Sequence, residues 1–249
     1  MFVNGTRHND ARAFRRIWER FSRLKATRDE LARERVDGQR PYLTFLIPLD
    51  DEAVRARCVA WQQALRPYLR YTPQPPERLH ISLHYMGYLR EHAWRWGLRT
   101  WPRNVLPALA ERVRPALSAF APFDVTIGPL NAFSGALIAE VHDPEGKLHA
   151  MYKALKRALP WRARLSYSPY PYVPHVTLGY WGGQPAAPVI RALRAYRQVE
   201  PVRFRVRRVR FTVYTRRVAA NAPDVLAEAQ EEVLAEYVLQ GHPTGENAR

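Results

Sequence analysis

The chain has 249 residues, of which 47% are hydrophobic and 25% are charged, and its formal net charge is +16. This length and composition are typical of a folded protein with a proper core, which excludes an intrinsically disordered chain. The single cysteine, Cys58, excludes an internal disulfide and a cysteine-rich zinc site.

The N-terminus carries no apolar run of signal-peptide length, and no run of about 18 apolar residues occurs anywhere in the sequence. We therefore expect a cytoplasmic protein without membrane contact, cofactor or obligatory protein partner. The positive charge favours polyanionic partners such as RNA, because binding phosphates releases counterions. A general preference for arginine in this composition would explain the charge equally well.

The first predicted element is an amphipathic helix over residues 10–36, which Gly38 and Pro41 end. Its apolar residues at helical spacing are Phe14, Ile17, Trp18, Phe21 and Leu24. We interpret residues 1–40 as an N-terminal helical extension that packs on the main body.

Strands and helices alternate from residue 41 onwards. Alternation and short apolar runs predict strands over 42–49, 79–86, 123–130, 135–142, 172–181 and 201–215. Helical spacing predicts helices over 50–69, 104–120, 146–159, 187–197 and 223–239. Pro115 should kink or split the second of these helices. We expect residues 41–215 to form the main body and residues 216–249 a C-terminal helix and tail.

The last predicted strand, PVRFRVRRVRFTVYT, changes the phase of its alternation at Arg207-Arg208. A bulge or sharp bend is expected there, because one extra residue turns every following side chain to the other face. Its polar positions form a row of arginines, which are Arg203, Arg205, Arg207, Arg208 and Arg210. This row can follow an RNA backbone, or it can protect the strand from edge-to-edge association.

Two predicted strands carry a histidine and a hydroxyl at positions i and i+2. LHISLHYMG has His80 and Ser82, and YVPHVTLGYW has His175 and Thr177. Residues two apart on a strand point to the same side, so each strand presents an imidazole beside a hydroxyl. A lone histidine in a strand is usually structural. The repetition of the same pattern about a hundred residues later favours a shared site.

This set of groups suits phosphodiester cleavage. One imidazole can act as general base on the attacking hydroxyl or water, and the other as general acid on the leaving oxygen. The hydroxyls can donate hydrogen bonds to the non-bridging phosphate oxygens without adding charge. No metal is needed for this chemistry.

The two stretches resemble the paired H-x-[ST]-x signatures of the 2H phosphoesterase superfamily, which includes 2′-5′ RNA ligase-like proteins and RNA 2′,3′-cyclic phosphodiesterases. The residues that flank these signatures also match the family pattern: Leu79 before the first histidine, Met86-Gly87 after the first motif, and Pro174 before the second histidine. The resemblance implies a bilobal α+β fold, with two antiparallel sheets flanking a central cleft and helices outside. It also implies that His80 and His175 act as general acid and base. Ser82 and Thr177 would then bind the phosphate.

The resemblance has two departures. Ser82 stands where threonine is commoner, and Tyr180 stands where RNA ligase-like members often carry an arginine. We expect Tyr180 to lie on the core side, because the odd-numbered positions of its strand face the cleft. Further candidates for substrate contact are His84, which follows Ser82 by two residues, and three aromatic residues: Phe133, Tyr172 and Trp181.

The sequence therefore predicts a metal-independent phosphodiesterase that opens an RNA or nucleoside 2′,3′-cyclic phosphate to a 2′-phosphate. Hydrolysis of a cyclic signalling nucleotide or of a 2′-5′ linkage would use the same site. Two competing hypotheses are a catalytically inactive RNA-binding module and a zinc site made of His80, His84 and His175. The sequence does not decide which histidine is the acid.

Overall fold

The computed structural model describes residues 10–30, 32, 41–66, 70–90, 100–164, 171–219 and 222–241. These residues form five α-helices: α1 (Asp10–Phe21), α2 (Glu52–Leu65), α3 (Leu106–Ser118), α4 (Lys147–Ala158) and α5 (Ala186–Tyr196). They also form ten strands: β1 (Tyr42–Pro48), β2 (Tyr71–Pro73), β3 (His80–Arg90), β4 (Thr100–Pro102), β5 (Phe123–Ala132), β6 (Ala136–His142), β7 (His175–Trp181), β8 (Val202–Val206), β9 (Arg208–Ala219) and β10 (Ala222–Val238).

The strands form one curled sheet in the order β10-β9-β1-β3-β7-β6-β5-β8, with every neighbouring pair antiparallel. Its two halves, β10-β9-β1-β3 and β7-β6-β5-β8, are joined between β3 and β7 by a single residue pair, Ile81 and Val176. β2 pairs with β7, and β4 runs parallel to β3. The predicted bilobal α+β architecture is confirmed, and the two sheets are halves of one continuous sheet.

The helices α2 to α5 bury apolar stripes in one core that spans both halves. In α2 the inward residues are those that the spacing predicts, Val54, Cys58, Trp61 and Leu65, and Asp51 caps the helix by accepting from Val54 N at 3.1 Å. Burial raises the pKa of the Cys58 thiol to about 12, so this side chain packs as an apolar residue. α3 continues through Pro115. Pro115 has no backbone N–H to donate, but it lies within one turn of the helix end, so only a few helical residues follow the missing hydrogen bond.

The phase change at Arg207 marks a crossing between the two halves of the sheet. β8 pairs with β5 in one half, whereas β9 pairs with β1 and β10 in the other. Arg207 alone separates the two strands. The expected bend is therefore present, and it lets one continuous segment supply a strand to each lobe.

The predicted C-terminal helix over 223–239 is wrong, because this segment is strand β10. It pairs with β9 along its whole length, with three register irregularities. Tyr237 is buried in the core and donates its hydroxyl to Ala110 O at 3.0 Å. The main body consequently extends beyond residue 215, since β9 and β10 both belong to the sheet.

The N-terminal helix ends at Phe21, well before the predicted residue 36; residues 31 and 33–40 lie outside the described part of the chain. Residues 22–30 continue along the body, where Ala26 pairs with Pro185 and Asp29 with Gly182. Within the described ranges, no helix is both long enough and apolar enough to cross a membrane.

Candidate active site

The two histidine-bearing strands meet where β3 and β7 pair. Ile81 and Val176 are cross-strand partners, and both are fully buried in the core. Because side chains alternate along a strand, the residues on either side of this pair leave the sheet on the opposite face. Those flanking residues are His80, Ser82, His175 and Thr177. The structure thus brings all four predicted residues together, half-buried, around one residue pair.

Both imidazoles are oriented in the same way by the backbone. His80 Nδ1 lies 2.8 Å from Arg78 O, and His175 Nδ1 lies 2.8 Å from Val173 O. A carbonyl oxygen only accepts, so Nδ1 carries the hydrogen in both rings and Nε2 holds the lone pair when the ring is neutral. In each motif the accepting carbonyl stands two residues before the histidine. Each Nε2 is therefore available for proton transfer.

The surroundings of the two rings differ. His80 Nε2 lies 3.1 Å from Ser82 Oγ. Burial lowers the pKa of His175, the hydrogen bond to Val173 O opposes this shift, and the nearby charge of His80 lowers the pKa further. His175 is consequently biased towards the neutral form.

A β-bulge follows Ser82 in β3. Leu46 of β1 pairs with Ser82, but the next residue, Phe45, pairs with His84, so Leu83 has no partner on β1. Cross-strand partners project to the same side of a sheet, and Phe45 projects into the core, where it stacks on Phe211. The bulge therefore turns His84 to the face opposite Ser82.

His84 is a core residue and does not lie on the face that carries His80, Ser82, His175 and Thr177. It is 5% exposed, its Nε2 lies 2.6 Å from Ala163 O, and its ring lies 5.9 Å from that of Tyr152 in α4. Burial lowers the pKa of His84 to about 4, with a smaller lowering from Lys156. The predicted contact of His84 with substrate is not supported by this position.

The hypothetical zinc site is not assembled either, since His84 and His80 project from opposite faces. Among the described residues, no cluster of three or more histidine, cysteine, aspartate or glutamate side chains has the arrangement of a metal site.

A second bulge follows Thr177 in β7. Ile138 of β6 pairs with Thr177 and Ala136 with Tyr180, while Leu178 is skipped. Tyr180 is therefore on the same face as Thr177, and the expectation that it lies on the core side is wrong. It packs in a small apolar cluster around Phe14, which covers this face beside the site.

The three aromatic candidates take different positions. The Phe133 ring meets the His175 ring edge-on, with a centroid distance of 4.9 Å. Trp181 is 1% exposed and donates its indole N–H to Phe133 O at 3.0 Å. Tyr172 stacks on Tyr152 at 4.5 Å, and its hydroxyl is buried. Phe133 borders the site, whereas Trp181 is enclosed by packing and Tyr172 is half-buried with its ring stacked on Tyr152.

The predicted row of arginines is divided between the two halves of the sheet. Arg203 and Arg205 lie on edge strand β8 and both bind Asp124, at 2.7 and 2.9 Å. Arg210, in contrast, pairs with Leu46 across β9 and β1, which places it on the face of Ser82, where it binds Glu236 at 2.8 Å. The row does not form one continuous surface.

Two buried glutamines complete the site and were not predicted. Gln74 Nε2 donates to Arg78 O at 3.2 Å and lies 2.8 Å from the Tyr214 hydroxyl. Arg78 O is the same oxygen that orients His80, so Gln74 supports that orientation. Gln62 Nε2 donates to Gln74 O and to Leu178 O, at 2.8 and 2.6 Å. The sequence offers one indication of this network: Gln62 is a polar residue next to the inward apolar stripe of α2.

Comparison with known proteins gives a consistent result. The family described as the 2′-5′ RNA ligase superfamily matches residues 49–218. The fold is similar to that of TT0787 of Thermus thermophilus, with 20% identity and a TM-score of 0.54, covering 80% of this chain and 98% of the other. It is also similar to E. coli LigT complexed with 3′-AMP, with 16% identity, a TM-score of 0.57 and the same coverage. No curated protein sequence matches the chain.

Proposed function

Because the chain belongs to the 2′-5′ RNA ligase superfamily, a branch of the 2H phosphoesterases, we propose that it is a metal-independent phosphodiesterase. Its substrate would be an RNA or nucleoside 2′,3′-cyclic phosphate, which it opens to a 2′-phosphate. The observation that carries this proposal is the arrangement of two imidazoles and two hydroxyls around the Ile81–Val176 pair. The 3′-AMP bound to the similar LigT supports a nucleotide as the ligand.

In this mechanism His175 is the general base and His80 the general acid. A water molecule attacks phosphorus, and His175 Nε2 takes a proton from it as the P–O bond forms. The bond from phosphorus to the 3′ oxygen breaks, and protonated His80 donates its Nε2 proton to that oxygen. The lowered pKa of His175 supports its role, because a base must be neutral before the reaction.

Ser82 and Thr177 would hold the phosphate. Both hydroxyls project from the face that carries the imidazoles, where they can donate to the two non-bridging oxygens. Such donors stabilise the negative charge that develops in the transition state. Because hydroxyls are neutral, they add no charge beside the two imidazoles. The Phe133 ring, edge-on to His175, forms an apolar boundary on which the base or sugar can lie.

The test is turnover of nucleoside 2′,3′-cyclic phosphates by the wild-type protein and by two alanine variants. His80→Ala and His175→Ala should each reduce kcat by about 10²–10⁴-fold while the thermal unfolding temperature stays close to that of the wild type. His142→Ala provides a matched control. Its imidazole lies at the end of neighbouring β6 and contacts Glu140 at 3.0 Å; Asn131 and Arg197 still bind this carboxylate in the variant, so turnover should be retained.

The pH profile of kcat/KM should be bell-shaped, with its acidic limb below the usual histidine value because the pKa of His175 is lowered. Wild-type turnover in His175→Ala, or activity lost in EDTA and regained with zinc, would contradict the mechanism. A screen that includes 2′-5′ dinucleotides and cyclic oligonucleotides separates the substrate classes. Salt-sensitive RNA binding without turnover of any of them, unchanged in His175→Ala, would indicate a binding module instead.

A further inference from the structure

The N-terminal helix α1 lies outside the region that matches the family and packs beside the candidate active site. Phe14 packs with Ala136 and Ile138 of β6 in the small apolar cluster, which Phe133 and Tyr180 also join. Ile138 is the cross-strand partner of Thr177, so α1 covers the same face of the sheet from which Thr177 projects. Phe133 connects this cluster directly to the His175 ring.

The position of α1 is fixed by specific contacts. Asn131 Nδ2 donates to Phe14 O at 3.0 Å, and the Arg197 guanidinium lies 5.3 Å from the centroid of the Trp18 ring. Phe21 is buried against Trp181. The apolar stripe of α1 is therefore used by the body of the protein, and it is not available for a lipid surface.

The outward face of α1 is strongly basic. Its exposed charged residues are Arg12, Arg15, Arg16, Glu19 and Arg20, and Arg23 follows just beyond the end of the helix. At 100° per residue, all six point within one half of the helix circumference, opposite Phe14 and Phe21. None of the ion pairs between described residues involves Arg15, Arg16 or Arg23. A row of arginines with a single glutamate attracts a chain of phosphates.

We propose that this basic face of α1 binds the sugar–phosphate backbone of an RNA strand whose cyclic phosphate end lies between His80 and His175. This proposal rests on the proposed function and extends it from a nucleotide to an oligonucleotide. α1 packs on the face of the sheet from which Thr177 projects, with its arginines pointing away from the sheet, so an RNA strand that leaves the site on this side can pass over them. A mononucleotide is too short to reach them, so α1 selects for RNA length without taking part in the chemistry.

The decisive variant is Arg15→Gln/Arg16→Gln. Both side chains are exposed and glutamine is as good a helix former as arginine, so the fold is preserved. The matched control is Arg191→Gln/Arg194→Gln on α5. These two arginines are also exposed, but α5 buries Val189 and Leu193 in the main core and contributes no residue to the apolar cluster around Phe14 beside the site.

Two measurements are made. The first compares KM for a single-stranded RNA ending in a 2′,3′-cyclic phosphate with KM for a nucleoside 2′,3′-cyclic phosphate. The α1 variant should raise KM for the RNA about tenfold and leave the mononucleotide unchanged. The second measures RNA affinity of each variant in a His175→Ala background over a range of salt. The slope of log K against log salt should fall by about 1.4, because each of two phosphate contacts contributes about 0.7 for a single strand.

Equal KM changes in the α1 variant and the α5 control, or an unchanged salt slope, would overturn the proposal. The binding measurement does not depend on turnover. If the wild type cleaves no cyclic phosphate but the α1 variant still weakens RNA binding, the proposed function fails and the RNA surface stands.

Discussion

Mild acid should destabilise the fold through His84, which is enclosed on the helix-covered side of the sheet. Its imidazole is 5% exposed, and its Nε2 hydrogen bonds to Ala163 O at 2.6 Å. Burial lowers the pKa of His84 from 6.5 to about 4; the hydrogen bond to Ala163 O opposes this shift, and the charge of Lys156 adds a smaller lowering. The native state therefore resists protonation that the unfolded chain accepts readily.

The size of the effect follows from the difference between these two pKa values. A group whose pKa is lowered on folding stabilises the native state fully above its unfolded pKa, and this stabilisation is lost as the pH falls. The pKa difference is about 2.5, from 6.5 to about 4, and each unit corresponds to about 1.36 kcal/mol, so about 3 kcal/mol is lost in total. Between pH 7 and pH 5 the expected loss is about 2 kcal/mol.

The measurement is urea unfolding of the wild type and of His84→Gln at pH 7, 6 and 5. Glutamine can still donate to Ala163 O but has no proton to gain, so its variant should lose about 2 kcal/mol less than the wild type over this range. The other titratable groups, including His149, whose pKa burial lowers, and Asp143, whose pKa burial raises, are common to both proteins and cancel in the comparison. Parallel pH dependences of the two free energies of unfolding would refute the reasoning.

Three further variants test the site and its support. Thr177→Val keeps the shape of the side chain but removes the hydroxyl, and should lower kcat by about 10²–10³-fold with an unchanged unfolding temperature. Gln74→Leu removes the amide that donates to Arg78 O, the oxygen that orients His80. Steady-state kinetics should show kcat reduced about tenfold with KM nearly constant, because the variant affects the orientation of the imidazole. A rise in KM larger than the fall in kcat would contradict this role. Arg197→Met leaves the Glu140 carboxylate, 3% exposed, without its cation, and should cost about 3–5 kcal/mol in urea unfolding, whereas adding Glu140→Gln should restore part of this loss.

The sequence predicted the longer helices and strands between residues 42 and 215 in their order, because each has a clear period, but it did not predict the short strands β2 and β4. It failed at β10, where VLAEAQEEVLAEYVL consists mainly of good helix formers. In the folded chain, β9 presents a long edge whose N–H and C=O groups need partners, and β10 supplies them. Pairing across the sheet outweighs local propensity here, which no single-segment pattern can reveal. Alternation is visible only at the end of the strand, where Tyr237 and Leu239 are buried and Val238 is exposed.

The positions of His84 and Tyr180 were missed for a different reason. Strict alternation places His84 with Ser82 and separates Tyr180 from Thr177, but a bulge after each hydroxyl reverses both assignments. The bulges occur at Leu83 and Leu178, the last residues of the two H-φ-[ST]-L repeats. A bulge cannot be recognised from the pattern of apolar and polar residues when the extra residue and its neighbour are both compatible with either face of the sheet.

The same bulges explain why the candidate site could nevertheless be predicted. Each motif needs only three consecutive residues in regular pleat, from the histidine to the hydroxyl, and the irregularity begins immediately after them. β3 and β7 then diverge. The side chain of Gln62 and the backbone N–H of Gln74 donate to Leu178 O, which would otherwise accept a hydrogen bond from β3 if the two strands continued to pair. Two strands that pair at only one position open a groove on either side of that pair. The identity of the four groove residues is therefore set locally by each tetrapeptide, whereas the shape of the groove depends on β2, α2 and α1, which are distant in sequence.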